Sequence, residues 1–226
     1  MNIQTYKLIE EYMLSCMDDS AHDKDHIYRV LYAALDIAGY ESEVNYEILI
    51  CACLLHDIGR REQFENPQLC HAAVGAEKAY NFLVSKGFAP EYAQKVKDCI
   101  MSHRFRSGSL PQSIEAKILF DADKIDVTGA IGIARTIFYA GQVSEPLYSL
   151  LPDGQVSDGS KDTIPSFFQE YKYKLEGLYT QFYTNRGSQI AAERQMAAKS
   201  YYDNMLQEAQ TSYRVGRELF QRQITN

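Results

Sequence analysis

Residues 44–57, VNYEILICACLLHD, are apolar almost all the way round a helix from Ile48 onward and end on the polar pair His56-Asp57. A helix apolar on every side must be buried on every side, so this segment predicts a central helix that other elements enclose. The remainder of the first 138 residues supplies that shell at helical spacing. Residues 3–17 carry Ile3, Leu8, Ile9, Tyr12 and Met13, and residues 24–39 carry Ile27, Val30, Leu31, Ala34 and Ala38 before Gly39. The polar run GRREQFENP is expected to stop the central helix at Gly59. A fourth helix runs on Leu69, Ala72, Ala76, Tyr80 and Leu83 to Gly87, and a fifth on Tyr92, Val96, Cys99, Ile100 and His103. Residues 113–138 are expected to form one sixth helix. No period-2 alternation of useful length competes with this pattern, so the expected fold class is all-α.

Beyond residue 138 the pattern changes. Residues 139–165 are rich in Gly, Pro and Ser and are expected to be a long loop or a lid. Two long helices follow, from Ser166 to Tyr183 and from Ser188 to about residue 210. The whole chain is read as a single domain, with a core at about 20–138 and the C-terminal helices at 166–210.

Four residues on this scaffold are out of place in an apolar core. His26 lies one turn before Val30 on the packed side of its helix, His56-Asp57 close the most apolar segment, and Asp123 lies between Phe120 and Val127 on the sixth stripe. Buried imidazoles and carboxylates cost several kcal/mol unless something compensates them. Two of each, converging from three helices, suit a divalent first-row metal. Taken singly, His26 could be a satisfied core histidine and His56-Asp57 a helix-terminal charge pair. Asp121, two positions before Asp123, falls with Lys117, Lys124 and Thr128 and is expected toward solvent or a helix flank. Periodicity therefore gives the metal to Asp123 and leaves Asp121 and Asp126 as partners that orient ligands or water, or, for Asp121, as a surface carboxylate near Lys124.

A net charge of −7 excludes a protein that coats a nucleic-acid polymer, since phosphate-backbone binding needs a basic surface. The five cysteines, at 16, 51, 53, 70 and 99, include no CxxC and read as thiols of a reducing compartment. No signal-peptide core and no apolar stretch of membrane-spanning length is present, so a cytoplasmic location without membrane association is expected. A homodimer is left open.

The arrangement H(26)…HD(56–57)…D(123), with the local forms HDxxHxxRV, LLHDIGR and DADKIDxxGAIGIAR, resembles the HD-domain superfamily of metal-dependent phosphohydrolases. Lys174-Leu175, Thr184 and Ala191-Ala192-Glu193-Arg194 resemble the C-terminal helices of a bacterial single-domain subgroup, so the likeness spans roughly residues 20–210. It implies an HD-type helical bundle with additional C-terminal helices. It also implies hydrolysis of a phosphoester or phosphoanhydride in a small nucleotide-type substrate, for instance as a nucleoside triphosphate pyrophosphohydrolase. The alternatives are a cyclic or signalling-nucleotide phosphodiesterase and a nucleotide-binding regulatory protein with a vestigial site. His26, His56, Asp57 and Asp123 would hold Mn²⁺, Mg²⁺, Ni²⁺, Fe²⁺ or Co²⁺. Asp126 or Asp121 would act on the catalytic water, while Arg29, Lys124, Lys174 and Arg194 would meet substrate phosphates. His71 and His103 are expected to face substrate, or to build a second metal site as extra histidines do in cyclic-dinucleotide phosphodiesterases. His22 is expected at the entrance of the His26 helix.

Overall fold

The computed structural model describes residues 1–17, 24–104 and 109–224, so His22 lies outside the described residues. The fold is all-α: regular structure among these residues is helical, apart from one antiparallel bridge between Leu150 and Val156. They gather into two compact units, Met1–Asp126 with Phe182–Ser188, and Val127–Gln181 with Gln189–Asn226.

In the first unit the central helix is α3 (Tyr46–Leu55), and Leu49, Cys51, Ala52, Cys53, Leu54 and Leu55 are all fully buried. Around it pack α1 (Ile3–Ser15), α2 (Lys24–Ala38), α5 (His71–Ser85), α6 (Pro90–Ser102) and α7 (Ile114–Ile125). Local chemistry sets where these helices begin. Asn45 caps α3 by accepting from the Glu47 and Ile48 amides, Pro90 opens α6, and the Ser113 hydroxyl accepts from Ala116 N–H at the start of α7.

The polar run after Asp57 is not simply a loop, because it holds a short helix, α4 (Arg60–Glu65). The turn between α3 and α4 lies directly on the first turns of α5. A Cβ on Gly59 would stand 2.4 Å from the His71 carbonyl oxygen and 2.6 Å from the Gly75 nitrogen, so only glycine permits this approach. Lys78 clips the turn from the other side, donating to the Ile58 carbonyl at 2.7 Å and to Glu62 at 2.6 Å.

Two expected helices are broken. The 113–138 stripe divides into α7 and α8 (Gly129–Gln142), because Gly129 adopts φ +63 beneath the Arg194 side chain and a right-handed helix cannot pass through that conformation. The 166–183 segment divides into α9 (Phe167–Glu170), a π turn (Tyr171–Leu175) and a 3₁₀ turn (Leu178–Thr180). The Glu176 amide reaches back to the Tyr171 carbonyl, five residues away. This register belongs with a Tyr171 ring stacked on Tyr202 at 4.1 Å, within a core that includes Phe167, Phe168, Leu175 and Leu178. The last helix, α10 (Asn185–Ile224), runs well past residue 210, since no proline interrupts it.

The 139–165 segment is tied down within the second unit. Both Asp162 oxygens accept from serine hydroxyls, Ser149 at 2.6 Å and Ser157 at 2.7 Å. Tyr202, Gln210 and Arg217 of α10 donate to the carbonyls of Asp158, Val156 and Asp153. These bonds tie the segment to α10.

Gly59→Ala should lower the urea midpoint by the equivalent of about 2 kcal/mol through overpacking against α5. Gly141→Ala, in α8 with open space around it, should be neutral or mildly stabilising. Equal midpoints for the two variants would contradict the close approach.

Candidate metal centre

Three helices deliver the polar core residues to one place. His26 stands near the start of α2, His56 caps the C-terminus of α3 with Asp57 following, and Asp123 lies in the last turn of α7. His26 Nε2 is 3.3 Å from Asp123 Oδ1, 3.5 Å from Asp57 Oδ2 and 3.3 Å from His56 Nε2. His56 Nε2 is 3.7 Å from Asp57 Oδ2 and 3.8 Å from Asp123 Oδ1. Donors ~2.1 Å from a shared ion stand ~3.0 Å apart at right angles and ~3.4 Å apart at the tetrahedral angle. His26 Nε2, His56 Nε2 and Asp123 Oδ1 are thus close to the spacing one divalent cation requires, with Asp57 Oδ2 beside both imidazole nitrogens.

The far side of each ring explains why these nitrogens face inward. His26 Nδ1 is 2.7 Å from Asp126 Oδ2, and His56 Nδ1 is 2.7 Å from the Cys53 carbonyl. Both partners can only accept, so Nδ1 carries the proton and Nε2 is turned to the centre. Asp126 is held in its turn by Arg29, whose Nε and Nη2 donate to its two oxygens at 2.7 and 3.2 Å.

A second cluster adjoins the first. Asp57 Oδ1, the oxygen that turns away from His26, is 3.5 Å from His71 Nε2 and 3.7 Å from His103 Nε2. His71 Nδ1 meets Gln63 Oε1 at 2.6 Å, and His103 Nδ1 meets the Ile100 carbonyl at 2.6 Å. Asp57 Oδ1, His71 Nε2 and His103 Nε2 are buried without hydrogen-bond partners among the described residues.

The electrostatics follow from burial. Desolvation pushes His56 down to about 4 and His71 down to about 3, with the Asp57 carboxylate pulling each the other way. Both imidazoles are therefore neutral, as ligands must be. Burial opposes ionisation of Asp57 and Asp123 as well. Arg60 and His56 nevertheless hold Asp57 well below the usual carboxylate range, and His26 followed by His56 does the same for Asp123.

Other expected site residues have different surroundings. Asp121, expected toward solvent, is fully buried. Its carboxylate accepts from the Tyr183 and Thr184 amides and the Thr184 hydroxyl, which assigns it to anchoring residues 182–188 and not to a catalytic water. Burial raises its pKa, with those donors opposing. The carboxylate left partly open, its side chain 24% exposed, is that of Asp123. Lys124 is buried over the Phe120 ring, 4.4 Å from its centroid, and desolvation lowers it to about 8 against the pull of Asp121 and Asp123. Arg60 donates through Nε to Asp57 Oδ2 at 2.9 Å. Lys174 pairs with Glu170 on an exposed surface of the second unit, where Arg194 covers Gly129. The sequence reading missed Gln63 and Arg104. Gln63 falls in a polar run with no periodic signal, and Arg104, whose positive charge helps to depress His71, follows His103 without a motif of its own.

The family model of the HD domain matches residues 24–128, which contain both clusters. The chain is 32% identical to the YpgQ protein of Bacillus subtilis over 181 residues, 78% of this chain and 79% of that one. A crystal structure of YpgQ in complex with ADP aligns with a TM-score of 0.69 at 28% identity, covering 90% of this chain and 97% of YpgQ. An HD-superfamily hydrolase from Bacillus thuringiensis aligns with a TM-score of 0.67 at 27% identity, covering 91% and 96%. With the histidines and aspartates of the motif gathered at one point, the chain belongs to the HD-domain superfamily of metal-dependent phosphohydrolases.

Proposed function

We propose that the substrate is a small nucleotide and that the bond hydrolysed is a phosphoanhydride, as in a nucleoside triphosphate pyrophosphohydrolase. The observation that carries this reading is the cluster of histidines and aspartates with cationic groups at it, Arg60 bonded to Asp57 and Lys124 acting electrostatically on Asp123, in a chain of net charge −7. The ADP complex of YpgQ supports a nucleotide as the ligand class.

When bound, a divalent cation supplies Lewis acidity, making a water nucleophilic near neutral pH and neutralising phosphoryl charge. The protein's own groups prepare that chemistry. Asp126 keeps the His26 Nδ1 proton, so that Nε2 faces the centre; this makes Asp126 a positioning residue for His26. Arg60 and Lys124 offer positive charge to phosphate oxygens. His71 and His103, neutral and turned with lone pairs inward, suit a cation or a hydrogen-bond donor, whereas a phosphate oxygen would meet them lone pair to lone pair. Among the described residues no helix is long and apolar enough to cross a membrane, which fits a small substrate free in solution.

The Asp57–His71–His103 triad favours one second reading. A second cation there would suit cleavage of a phosphodiester in a cyclic or signalling nucleotide.

The deciding experiment incubates the protein with nucleoside triphosphates and cyclic nucleotides under Mn²⁺, Mg²⁺, Ni²⁺, Fe²⁺ and Co²⁺. Pyrophosphate from triphosphates is the expected product, ring opening alone would select the second reading, and tight nucleotide binding without turnover under every metal would indicate a vestigial site. Asp57→Ala should abolish metal retention and turnover together while leaving helix content intact, and an active Asp57→Ala protein would refute the centre. Asp126→Ala should weaken metal binding about 10–100-fold. Asp121→Ala should leave metal affinity within about threefold yet cost on the order of 2–3 kcal/mol in unfolding, by orphaning two buried amides. Acid titration of the metal-free protein gives a further check. A histidine whose folded pKa is depressed contributes stability present above its unfolded value and lost as pH falls toward the folded one. For His56 that window runs from the ordinary 6.5 down to about 4. The His56 contribution to stability should decline across it by on the order of 3 kcal/mol, and His71, depressed further, adds to the loss in the same range. A flat profile in that window would contradict a neutral, buried His56.

A further inference from the structure

The rings around Asp57 are not held by equivalent partners. His26 is backed by a carboxylate, and His56 and His103 by main-chain carbonyls. All three partners can only accept a hydrogen bond, so each ring is locked with its proton on Nδ1. His71 alone is backed by a side-chain amide, Gln63 Oε1 at 2.6 Å. An amide is ambivalent: half a turn about its last torsion exchanges the oxygen for an NH₂ group. With the oxygen toward the ring, Nδ1 is protonated and the Nε2 lone pair points at Asp57 Oδ1. With the NH₂ toward the ring, the proton moves to Nε2 and can be donated to Asp57 Oδ1, 3.5 Å away.

The observed orientation is the one that leaves Asp57 Oδ1, His71 Nε2 and His103 Nε2 buried as acceptors with nothing to accept. Such an arrangement is costly unless a cation or donor occupies the space between them. Turning the Gln63 amide would relieve it without any cation, by letting His71 donate to Asp57.

We propose that Gln63 is the positioning residue of the Asp57–His71–His103 triad: its amide orientation selects the His71 tautomer, and with it whether the triad takes a second divalent cation. This rests on the reading of the HD motif as a cation centre and assigns a regulated second position beside it. The second position is the weaker one. Its one carboxylate oxygen belongs to Asp57, whose other oxygen already faces His26 and His56 of the first site, and both Arg60 and Arg104 act on His71 with positive charge. It therefore fills after the first site, and the cost of fixing the amide is part of its affinity.

The test is titration of metal-free protein with Mn²⁺ by calorimetry, with bound metal counted independently, for the wild type, Gln63→Glu and Gln63→Leu. A carboxylate can only accept, so Gln63→Glu removes the competing tautomer and should tighten the second binding event about tenfold. Gln63→Leu removes the acceptor and should weaken that event about 10–100-fold. Both variants reach the first site only through Asp57, so each should shift the first event by less than it shifts the second. The ¹⁵N shifts of His71 in the metal-free protein should report more Nδ1–H tautomer in Gln63→Glu and more Nε2–H tautomer in Gln63→Leu. A purely structural role for Gln63 predicts that both variants weaken binding and leave the tautomer alone, and that result would overturn the proposal. A wild type that binds one Mn²⁺ per chain up to millimolar metal would overturn it too. If that singly loaded protein still turned over nucleotide, the phosphohydrolase reading would stand.

Discussion

Asp57 is the residue on which the chemistry of this fold depends. Its carboxylate is almost completely buried, at 5% exposure, and its two oxygens face different sets of imidazoles, Oδ2 toward His26 and His56 and Oδ1 toward His71 and His103. A buried carboxylate facing neutral rings that turn lone pairs toward it is unfavourable by several kcal/mol without compensation. Within the chain that compensation is incomplete. Arg60 contributes one contact to Oδ2, and Oδ1 has no hydrogen bond among the described residues. The polypeptide maintains an electrostatic deficit at one point in its core, which a divalent cation of the kind HD domains bind would remove.

The deficit is maintained by packing. Gly59 allows the turn after Asp57 to lie against the start of α5, so His71 arrives beside Asp57 as a consequence of backbone contact. Lys78 clips that turn from α5. His56 is held by its own helix through the Cys53 carbonyl, and His26 by Asp126 at the end of the helix that carries Asp123. The His26 and His56 rings are thus each oriented by an atom in or at the end of a helix, which fixes where their Nε2 atoms point. The second unit is organised differently. Its core is aromatic, centred on Tyr171 and Tyr202, and its long connection between α8 and α9 is bonded to α10 at several carbonyls.

Much of this was legible in the residues. The uniform apolarity of α3 and the regular stripes of α2, α5 and α6 follow from the side-chain period alone, and they predict an all-α core correctly. The convergence of His26, His56, Asp57 and Asp123 was legible because imidazoles and carboxylates on core stripes need a partner that offsets their burial, and the motif spacing pointed all four at a shared cation. The breaks were not legible. Gly129 lies inside an unbroken stripe, and neither its positive φ nor the Arg194 side chain that covers it, 65 positions later, is signalled by its neighbours in the chain. Asp121 was placed on the wrong side because periodicity assumes a helix with one buried face. In fact residues 182–188 cover the other face of α7, and Asp121 supplies the acceptor their amides need.

By itself, then, the sequence determined the helical class, the central element and the identity of the polar residues that cannot rest in an apolar core. Those properties are local, since they depend on which side chains recur at a period near 3.6 and on the cost of burying charge. The tertiary structure alone decided which oxygen of Asp57 meets which imidazole, that Asp126 and not Asp121 backs His26, and that His71 meets the amide of Gln63. Such choices turn on directions and distances of a few ångströms between residues far apart in the chain. Only the packing of helices on one another specifies them.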